Sequence, residues 1–452
     1  MAPRKFFIAC FGVLLFASGC AVPWEFGSGD VLHEVSESDL THELPHGIGG
    51  EPWEWVPPTD ADVVEVVSLN SGVAAVLTDG VVALDGRTGE VRWTYRALER
   101  EVAAGVSPDM STVLLAVELP EDEETELIGL DAVQGDILSN ATIEDTGIDP
   151  GFTLPHGWLE FHEGALVARS SGVNGDGATG AGEEMWSFAF FDSCNDGLVR
   201  EEGRNIHLGE EAVVFPVACA EQDEVTASLV GVDPDSGKVL WEWEEALDGY
   251  MYEEFATADF WVREDGDVLA HLSGEGGRVW SVLDTRTGQM TAEIDEDVTS
   301  GFTSWDGRLL AADQDRLFYY DQKGSNQTHD VYSSVLVDGS GEEQILVERM
   351  AEFSSDTVRP PLNHRDRPLA ETFLEEGLLL VGCGTECWVG GTSYPVAAYY
   401  SWGSDEPEFE FRLTELDGPL GGRVRQEKVP GAVVVYQVSV TGEVTSSLYG
   451  FL

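Results

Sequence analysis

From Val63 onward the chain alternates short runs of Val, Leu, Ile, Phe and Tyr with clusters of Gly, Asp, Pro and Ser. No stretch keeps the 3.6-residue apolar period of a long amphipathic helix, so the pattern predicts a nearly all-β protein. One unit stands out: VVEVVSL, GVAAVLT and GVVALD, then the turn DGRTGE, then VRWTYR. Four strands in about 40 residues is the size of one blade of a β-propeller.

The Asp that closes the third strand marks the register. It occurs as Asp85 in VVALD, Asp131 in LIGLD, Asp192 in FAFFD, Asp233 in LVGVD, Asp284 in WSVLD and Asp321 in LFYYD, at intervals of 46, 61, 41, 51 and 37 residues. Strands joined by loops of variable length give such spacing, and GVNGDGATGAGEE, from Gly172 to Glu184, accounts for the longest interval. An Asp heading a tight turn accepts backbone N–H groups, and Gly89, Gly135, Gly237 and Gly288 sit where the turn needs the left-handed conformation. A Trp on the returning strand, Trp93 or Trp241, offers a broad apolar face to lay between neighbouring blades. These residues read as turn and docking elements rather than as catalytic groups.

ALDGRTGEVRW, GVDPDSGKVLW and SVLDTRTGQM resemble the PQQ-like β-propeller repeat of quinoprotein dehydrogenases and their non-catalytic relatives. The matches cover residues 81–96, 127–143, 229–244 and 279–294. Ser139 and Thr291 stand where the Trp is expected in the second and fifth units, and the run ending at Asp321 lacks the Gly turn. Near Tyr400, PVAAYYSWGSDEPEFEFRL reads as strand, turn and strand; GAVVVYQVSV and SSLYGFL follow, and the last has no returning partner. EPWEWV, from Glu51 to Val56, resembles VLWEWE and is expected to supply that outer strand, closing a ring of eight four-stranded blades, with seven as the alternative.

In the family's enzymes, the resemblance implies PQQ over a Trp on the propeller axis, Ca²⁺ held by carboxylate and amide oxygens, an Asp base and often a disulfide between adjacent cysteines. This chain has no adjacent Cys pair and no residue set that maps onto that site. A repeat names a fold and not a cofactor, so no cofactor or metal is expected. DPDSGK at Asp233 and DEDVTS at Asp295 are fragments of calcium loops without the twelfth-position Glu, the nine His form no metal-protease pattern, and no Gly-x-Ser-x-Gly elbow occurs.

Ahead of the repeats, Arg4 and Lys5 precede an apolar run from Phe6 to Phe16, too short to span a bilayer, and then FASGC. This resembles a bacterial lipoprotein signal over residues 1–19, with Ala17, Ser18 and Gly19 as the lipobox. The resemblance implies cleavage before Cys20 and a lipid on that cysteine; an ordinary secretory peptide is the other reading. Residues 20–50, acidic and rich in small residues, read as a lipid-anchored tether, and residues 51–452 as the propeller. The protein is thus expected to be exported and anchored to the outer face of the cell membrane through Cys20.

Four cysteines remain beyond Cys10 in the signal and Cys20, an even number in an oxidising compartment. Cys383 and Cys387, in GCGTECW, are close enough to staple a local turn, with zinc as the rival reading. Cys194 and Cys219 pair by elimination, although the strand reading puts them at opposite ends of neighbouring strands.

Charge narrows the partners further. With 84 Asp+Glu against 24 Lys+Arg the net charge is −60, which repels nucleic-acid phosphate and anionic headgroups. Spread over a solvated surface, it says more about surroundings than about mechanism. EDEETE, from Glu121 to Glu126, is expected in the loop between the second and third strands of its blade. Arg359, Arg365 and Arg367, in DTVRPPLNHRDRPLAE, make a rare cationic island and a candidate partner contact. Two functions follow: a monomeric, non-catalytic envelope scaffold that binds a protein or small ligand, or a PQQ- and Ca²⁺-dependent dehydrogenase.

Overall fold

The computed structural model describes residues 31–452 outside 120–123, 144–149, 163–164, 173–179, 190–205, 222–223, 246–256, 263–267, 275–276, 294–307, 314–315, 326–328, 338–342, 353–369, 383–394, 402–406, 415, 417–422 and 440–442. The described strands form eight antiparallel sheets. Each has four strands in simple up-and-down order; the first also carries a fifth. The protein is a β-propeller of eight blades, and the first strands of successive blades, such as Val63–Leu69 and Val102–Val106, approach one another across the ring.

Blade 1 consists of Val63–Leu69, Gly72–Leu77, Gly80–Asp85 and Val91–Ala97. Its two middle strands do not alternate: all six residues of Gly72–Leu77 are buried, because each middle strand lies between two other blades. Ala74, Val76, Val81 and Ala83 pack with Val113, Leu115 and Ile128 of blade 2. Val73, Ala75, Leu77 and Leu84 pack with Val434 and Leu448 of blade 8. A strand covered on both faces therefore reads as a continuous apolar run such as GVAAVL.

Blade 8 closes the ring. Arg423–Val429, Ala432–Val438 and Leu448–Phe451 come from the end of the chain, and Trp53–Trp55 supplies the outer strand, with Trp53 opposite Gly450 and Trp55 opposite Leu448. Even the turn of this blade is divided between the two ends. The Gly49 N–H donates to the Leu452 carbonyl at 2.6 Å, where blade 1 uses Gly89 N–H to Asp85 O at 2.8 Å.

Four positions differ from the sequence reading. FAFFD does not close a third strand: Phe188 and Ala189 belong to the outer strand Glu184–Ala189 of blade 3, whose third strand is Ala165–Ser170, and Asp192 lies outside the described residues. Asp321 falls within Arg316–Ser325, the second strand of blade 6, opposite Ser333. In blade 5 it is Ala292, opposite Val282, and not Thr291, that holds the register of Trp93 opposite Ala83. Of EDEETE, Glu124–Glu126 already belong to the third strand Glu124–Asp131 of blade 2.

Residues 31–50 also depart from the tether reading. Val31–Glu34 is the fifth strand of blade 1, pairing antiparallel to Val91–Ala97 from Val31 opposite Ala97 to Glu34 opposite Thr94. The alternation of VLHE explains the docking: Val31 packs against the core between blades 1 and 2, while Leu32 faces solvent. Residues 20–30 of the expected tether lie outside the described residues.

The interface between blades 2 and 3 shows how a broken repeat is repaired. Ser139, opposite Gly129, holds the register of Trp93. Val73, Val113 and Val213, each in a second strand opposite the residue before the turn, share clusters with Trp53, Trp93 and Trp186. In blade 3 the same second-strand position, opposite Arg169, is Trp158, fully buried against Leu114, Ala116 and Leu127 of blade 2. The indole comes from the other side of the interface. Its Nε1 and the Ser139 Oγ are buried without a partner among the described residues, so the exchange restores volume and not the hydrogen bond. Ser139→Trp alone should overfill this interface and cost about 1–3 kcal/mol, and Trp158→Val alone should leave a void costing about 3 kcal/mol. Together they should rebuild the standard latch and cost far less than the sum in denaturant unfolding; additive costs would show that the two side chains do not share that space.

Candidate functional site

The turns that join third to outer strands gather on one face of the ring with those joining first to second strands. Four of them share one construction. Asp85, Asp131, Asp233 and Asp284 each donate an N–H five residues on, to Glu90, Asp136, Lys238 and Gln289, and each accepts the N–H of the Gly four residues on. Those glycines, Gly89, Gly135, Gly237 and Gly288, have φ of +67°, +79°, +63° and +63°. The carboxylates are turned inward on their own turns: Asp233 Oδ1 accepts from Ser236 N at 2.8 Å and Ser236 Oγ at 2.7 Å, and Asp284 Oδ1 from Thr287 N at 2.7 Å and Thr287 Oγ1 at 2.8 Å. Asp131 takes Val133 N and Gln134 N at 2.9 and 2.7 Å.

An indole from the preceding blade sits on each turn. Trp93 of blade 1 donates from Nε1 to Ala132 O of blade 2 at 3.0 Å, and Trp241 of blade 4 to Thr285 O of blade 5 at 2.6 Å. Two more indoles do the same work and escaped the sequence reading: Trp53 of blade 8 to Gly86 O and Trp186 of blade 3 to Pro234 O, both at 2.8 Å. Trp186 follows Gly182 by four residues as Trp93 follows Gly89, the signal that could have found it. In blade 3 the turn is interrupted by the Gly172 insertion yet keeps its closing bonds, Ser170 N to Glu183 O and Gly182 N to Ser170 O. Between blades 7 and 8, Phe409 and Phe411 pack on Tyr449 and Phe451 with ring centroids about 6 Å apart.

Across this face runs the strap of residues 31–50. His33 Nε2 meets Gly135 O of blade 2 at 2.8 Å, and Ser36 N donates to Gln134 O at 2.8 Å. Over blade 1, Arg92 donates to Ser38 O and Leu40 O at 2.8 and 2.9 Å, and His42 Nε2 meets Asp85 Oδ2 at 3.0 Å. Gly431 N of blade 8 donates to Glu43 O, and Glu376 N of blade 7 to His46 O, both at 2.8 Å. His46 Nδ1 meets Glu375 Oε2 at 2.6 Å, and Ile48 is buried among Leu379, Val433 and Phe451. Burial alone would raise the Asp85 carboxyl, but His42 and the turn N–H groups of Arg87 and Thr88 outweigh it and hold the group below its ordinary value.

Of the remaining sequence candidates, Cys219 alone falls among the described residues. Cys219 lies in Val213–Glu221, the second strand of blade 4, with its backbone opposite Thr226. Cys20, Cys194, Cys383, Cys387, Arg359, Arg365 and Arg367 lie outside the described residues. Among the described residues no group of three or more His, Cys, Asp or Glu side chains could hold a metal ion.

No protein-family profile and no curated protein matches the chain. Its fold is similar to that of the dihydro-heme d1 dehydrogenase NirN, solved in complex with DHE (15% identity over 91% of this chain and 78% of that one, TM-score 0.36). Another similar structure is the β-propeller domain of the Trilobed protease from Pyrococcus furiosus, described as having an open velcro topology (11% identity, 88% and 94% covered, TM-score 0.34). A third is a protein of unknown function from Bacteroides caccae (14% identity, 67% and 91% covered, TM-score 0.24).

The latch makes two measurable claims. Trp93→Phe keeps most of the apolar contact but leaves Ala132 O buried without its donor and should cost about 1–3 kcal/mol, whereas Trp93→Ala should cost about 3–5 kcal/mol in unfolding experiments. The Ser236 and Thr287 hydrogen bonds hold Asp233 and Asp284 below the usual carboxylate range. Their contribution is therefore complete above the unfolded value of about 3.9 and lost as pH falls through the lower folded one, so Asp233→Asn/Asp284→Asn should flatten the acid limb of a stability–pH curve.

Proposed function

We propose that this chain is a non-catalytic lipoprotein of the cell envelope, a PQQ-like propeller that serves as a scaffold for protein or small-ligand binding. The observation that carries the reading is the strap: one face of the ring holds an extended peptide over blades 2, 1, 8 and 7 through backbone carbonyls, turn carboxylates and one guanidinium. A face built to hold one extended segment is suited to recognising others. The repeat's own polar residues support the same reading, since the carboxylates of Asp85, Asp131, Asp233 and Asp284 and the indole N–H groups are engaged in holding turns and blades.

In this reading Cys20 carries the lipid on the outer face of the cell membrane, Cys383–Cys387 and Cys194–Cys219 are disulfides, and the monomeric ring meets an envelope protein or small ligand. Arg359, Arg365 and Arg367 form the candidate contact, cationic against a chain of net charge −60. Nucleic acid is not among the partners.

Two experiments test this. Purified protein incubated with PQQ and Ca²⁺ should acquire neither stoichiometric cofactor absorbance nor dye reduction with alcohols or aldose sugars; turnover would make the chain a quinoprotein dehydrogenase instead. Cys20→Ser should move the protein from the membrane to the soluble fraction, with crosslinked partners lost in proportion; retention at the membrane would remove the lipid anchor from the proposal.

A further inference from the structure

Blade 1 differs from blades 2 to 5 in the residue that precedes the register of its docking indole. Leu138, Met185, Leu240 and Thr291 hold that position in blades 2, 3, 4 and 5, whereas blade 1 has Arg92. Leu138 and Leu240 are 47% and 41% exposed, but the Arg92 side chain, beneath the strap, is 5% exposed. Among the described residues blade 1 is also the one blade with a fifth strand, Val31–Glu34. A sheet edge and a guanidinium aimed at main-chain carbonyls are the parts of a site for β-strand addition.

The strap fills that site incompletely. Its strand pairs with four of the seven residues of Val91–Ala97. Arg92 donates to Ser38 O and Leu40 O, with Asp85 3.5 Å away balancing its charge, yet its Nε is buried without a partner among the described residues. A buried N–H left unmade is a cost that an occupant with one more acceptor removes. Charge also opposes the strap: residues 31–50 carry Glu34, Glu37, Asp39 and Glu43 and no Lys or Arg, on a chain of net charge −60. A second copy's strap would carry the same charges, so the better occupant is an extended segment that is cationic where the strap is acidic.

We propose that the strap is a resident plug in a peptide-binding groove, in which the outer edge of Val91–Ala97, Arg92 and the Gln134 carbonyl receive an extended, cationic segment of a partner protein that displaces residues 31–44. This deepens the scaffold reading by naming the partner's chemistry, and it does not need the lipid on Cys20. The groove sets the pattern of the segment. An apolar residue takes the place of Val31 against the core between blades 1 and 2, and the next residue, in the place of Leu32, faces solvent and is free to vary.

Binding of two capped, labelled peptides to the full chain tests the groove. One is residues 31–44 with Glu34→Lys/Glu37→Lys/Asp39→Lys, which changes its charge from −4 to +2; the other is a scramble of the same composition. Val31→Asp, which loosens the plug in the full chain, should bind the first peptide about tenfold more tightly than the wild-type chain does. Adding Arg92→Leu, the residue type that blades 2 and 4 carry, should lower that affinity to the level of the scramble. In hydrogen exchange of the wild-type chain, saturation with the first peptide should strip protection from the Ser36 amide, which the strap bonds to Gln134 O, while Gly72–Leu77 stay protected. Equal affinity for the two peptides, equal affinity of the wild-type and Val31→Asp chains, no loss on adding Arg92→Leu, or a Ser36 amide that stays protected under saturating peptide would overturn the plug. Each of those results would leave the scaffold reading itself to the PQQ and Cys20 experiments.

Discussion

An indole N–H handed from one blade to the next solves two problems at once, and the positions around it follow from that. Packing blade on blade buries the carbonyl that follows each turn Asp, and a buried carbonyl without a donor costs about 1–3 kcal/mol. It also buries the indole N–H, which would be as costly alone. Each satisfies the other, and the ring's apolar face fills the gap between blades. The fit leaves no room for a Cβ on the turn: one added at Gly89, Gly135, Gly237 or Gly288 would lie 2.5–2.7 Å from the tryptophan. It also demands a small residue across the strand, met by Ala83, Ala168, Gly231 and Gly450. A single side chain thus dictates the residue opposite it, the turn of the next blade and the hydrogen bond that sets their spacing.

That reciprocity explains what could be read in the sequence and what could not. Blade 1 was legible strand by strand because its Asp, Gly and Trp all lie within one short window, from Asp85 to Trp93. Eight blades and closure by EPWEWV were legible from the likeness of EPWEWV to VLWEWE, although the docking role of Trp53 was not. Blade 3 misled because the insertion separates Ser170 from Gly182, so the eye moves to FAFFD, one strand too late. Blade 6 misled because Asp321 closes no turn: a five-residue run ending in Asp is a weak mark without the Gly that follows. Trp158 could not be read as the counterpart of Ser139 at all, because the pairing crosses two blades and exists only in three dimensions.

The strap shows a second limit of linear reading. An acidic stretch with three histidines and little periodicity has the composition of a spacer, and composition carries no trace of partners far away in sequence. Its only regular feature, the alternating VLHE, is four residues long. What orders the stretch is the ring: turn carbonyls, Asp85 and Glu375 arrive from separate blades, and Arg92 reaches out to two strap carbonyls from a strand whose neighbours read as ordinary sheet. The candidate face was therefore invisible until closure had assembled it.

Closure and strap also bear on each other. A propeller is weakest where its ends meet, since elsewhere covalent turns join successive strands and here hydrogen bonds alone do so. This chain joins its ends with three strand pairs, Trp53–Gly450, Glu54–Tyr449 and Trp55–Leu448, and with Gly49 and Gly50 donating to Leu452. Those two glycines are the last residues of the strap, so whatever holds the strap also restrains the N-terminal half of the closing turn. Losing the strap's ties to Asp85 and Glu375 would raise the entropy of the segment that presents Gly49 to Leu452, while the Trp53 indole, still seated on Gly86 O, would keep blade 8 on blade 1. The two fastenings are thus separate: the latch joins blade to blade through buried indoles, and the strap is held over the face by hydrogen bonds to the turns of four blades.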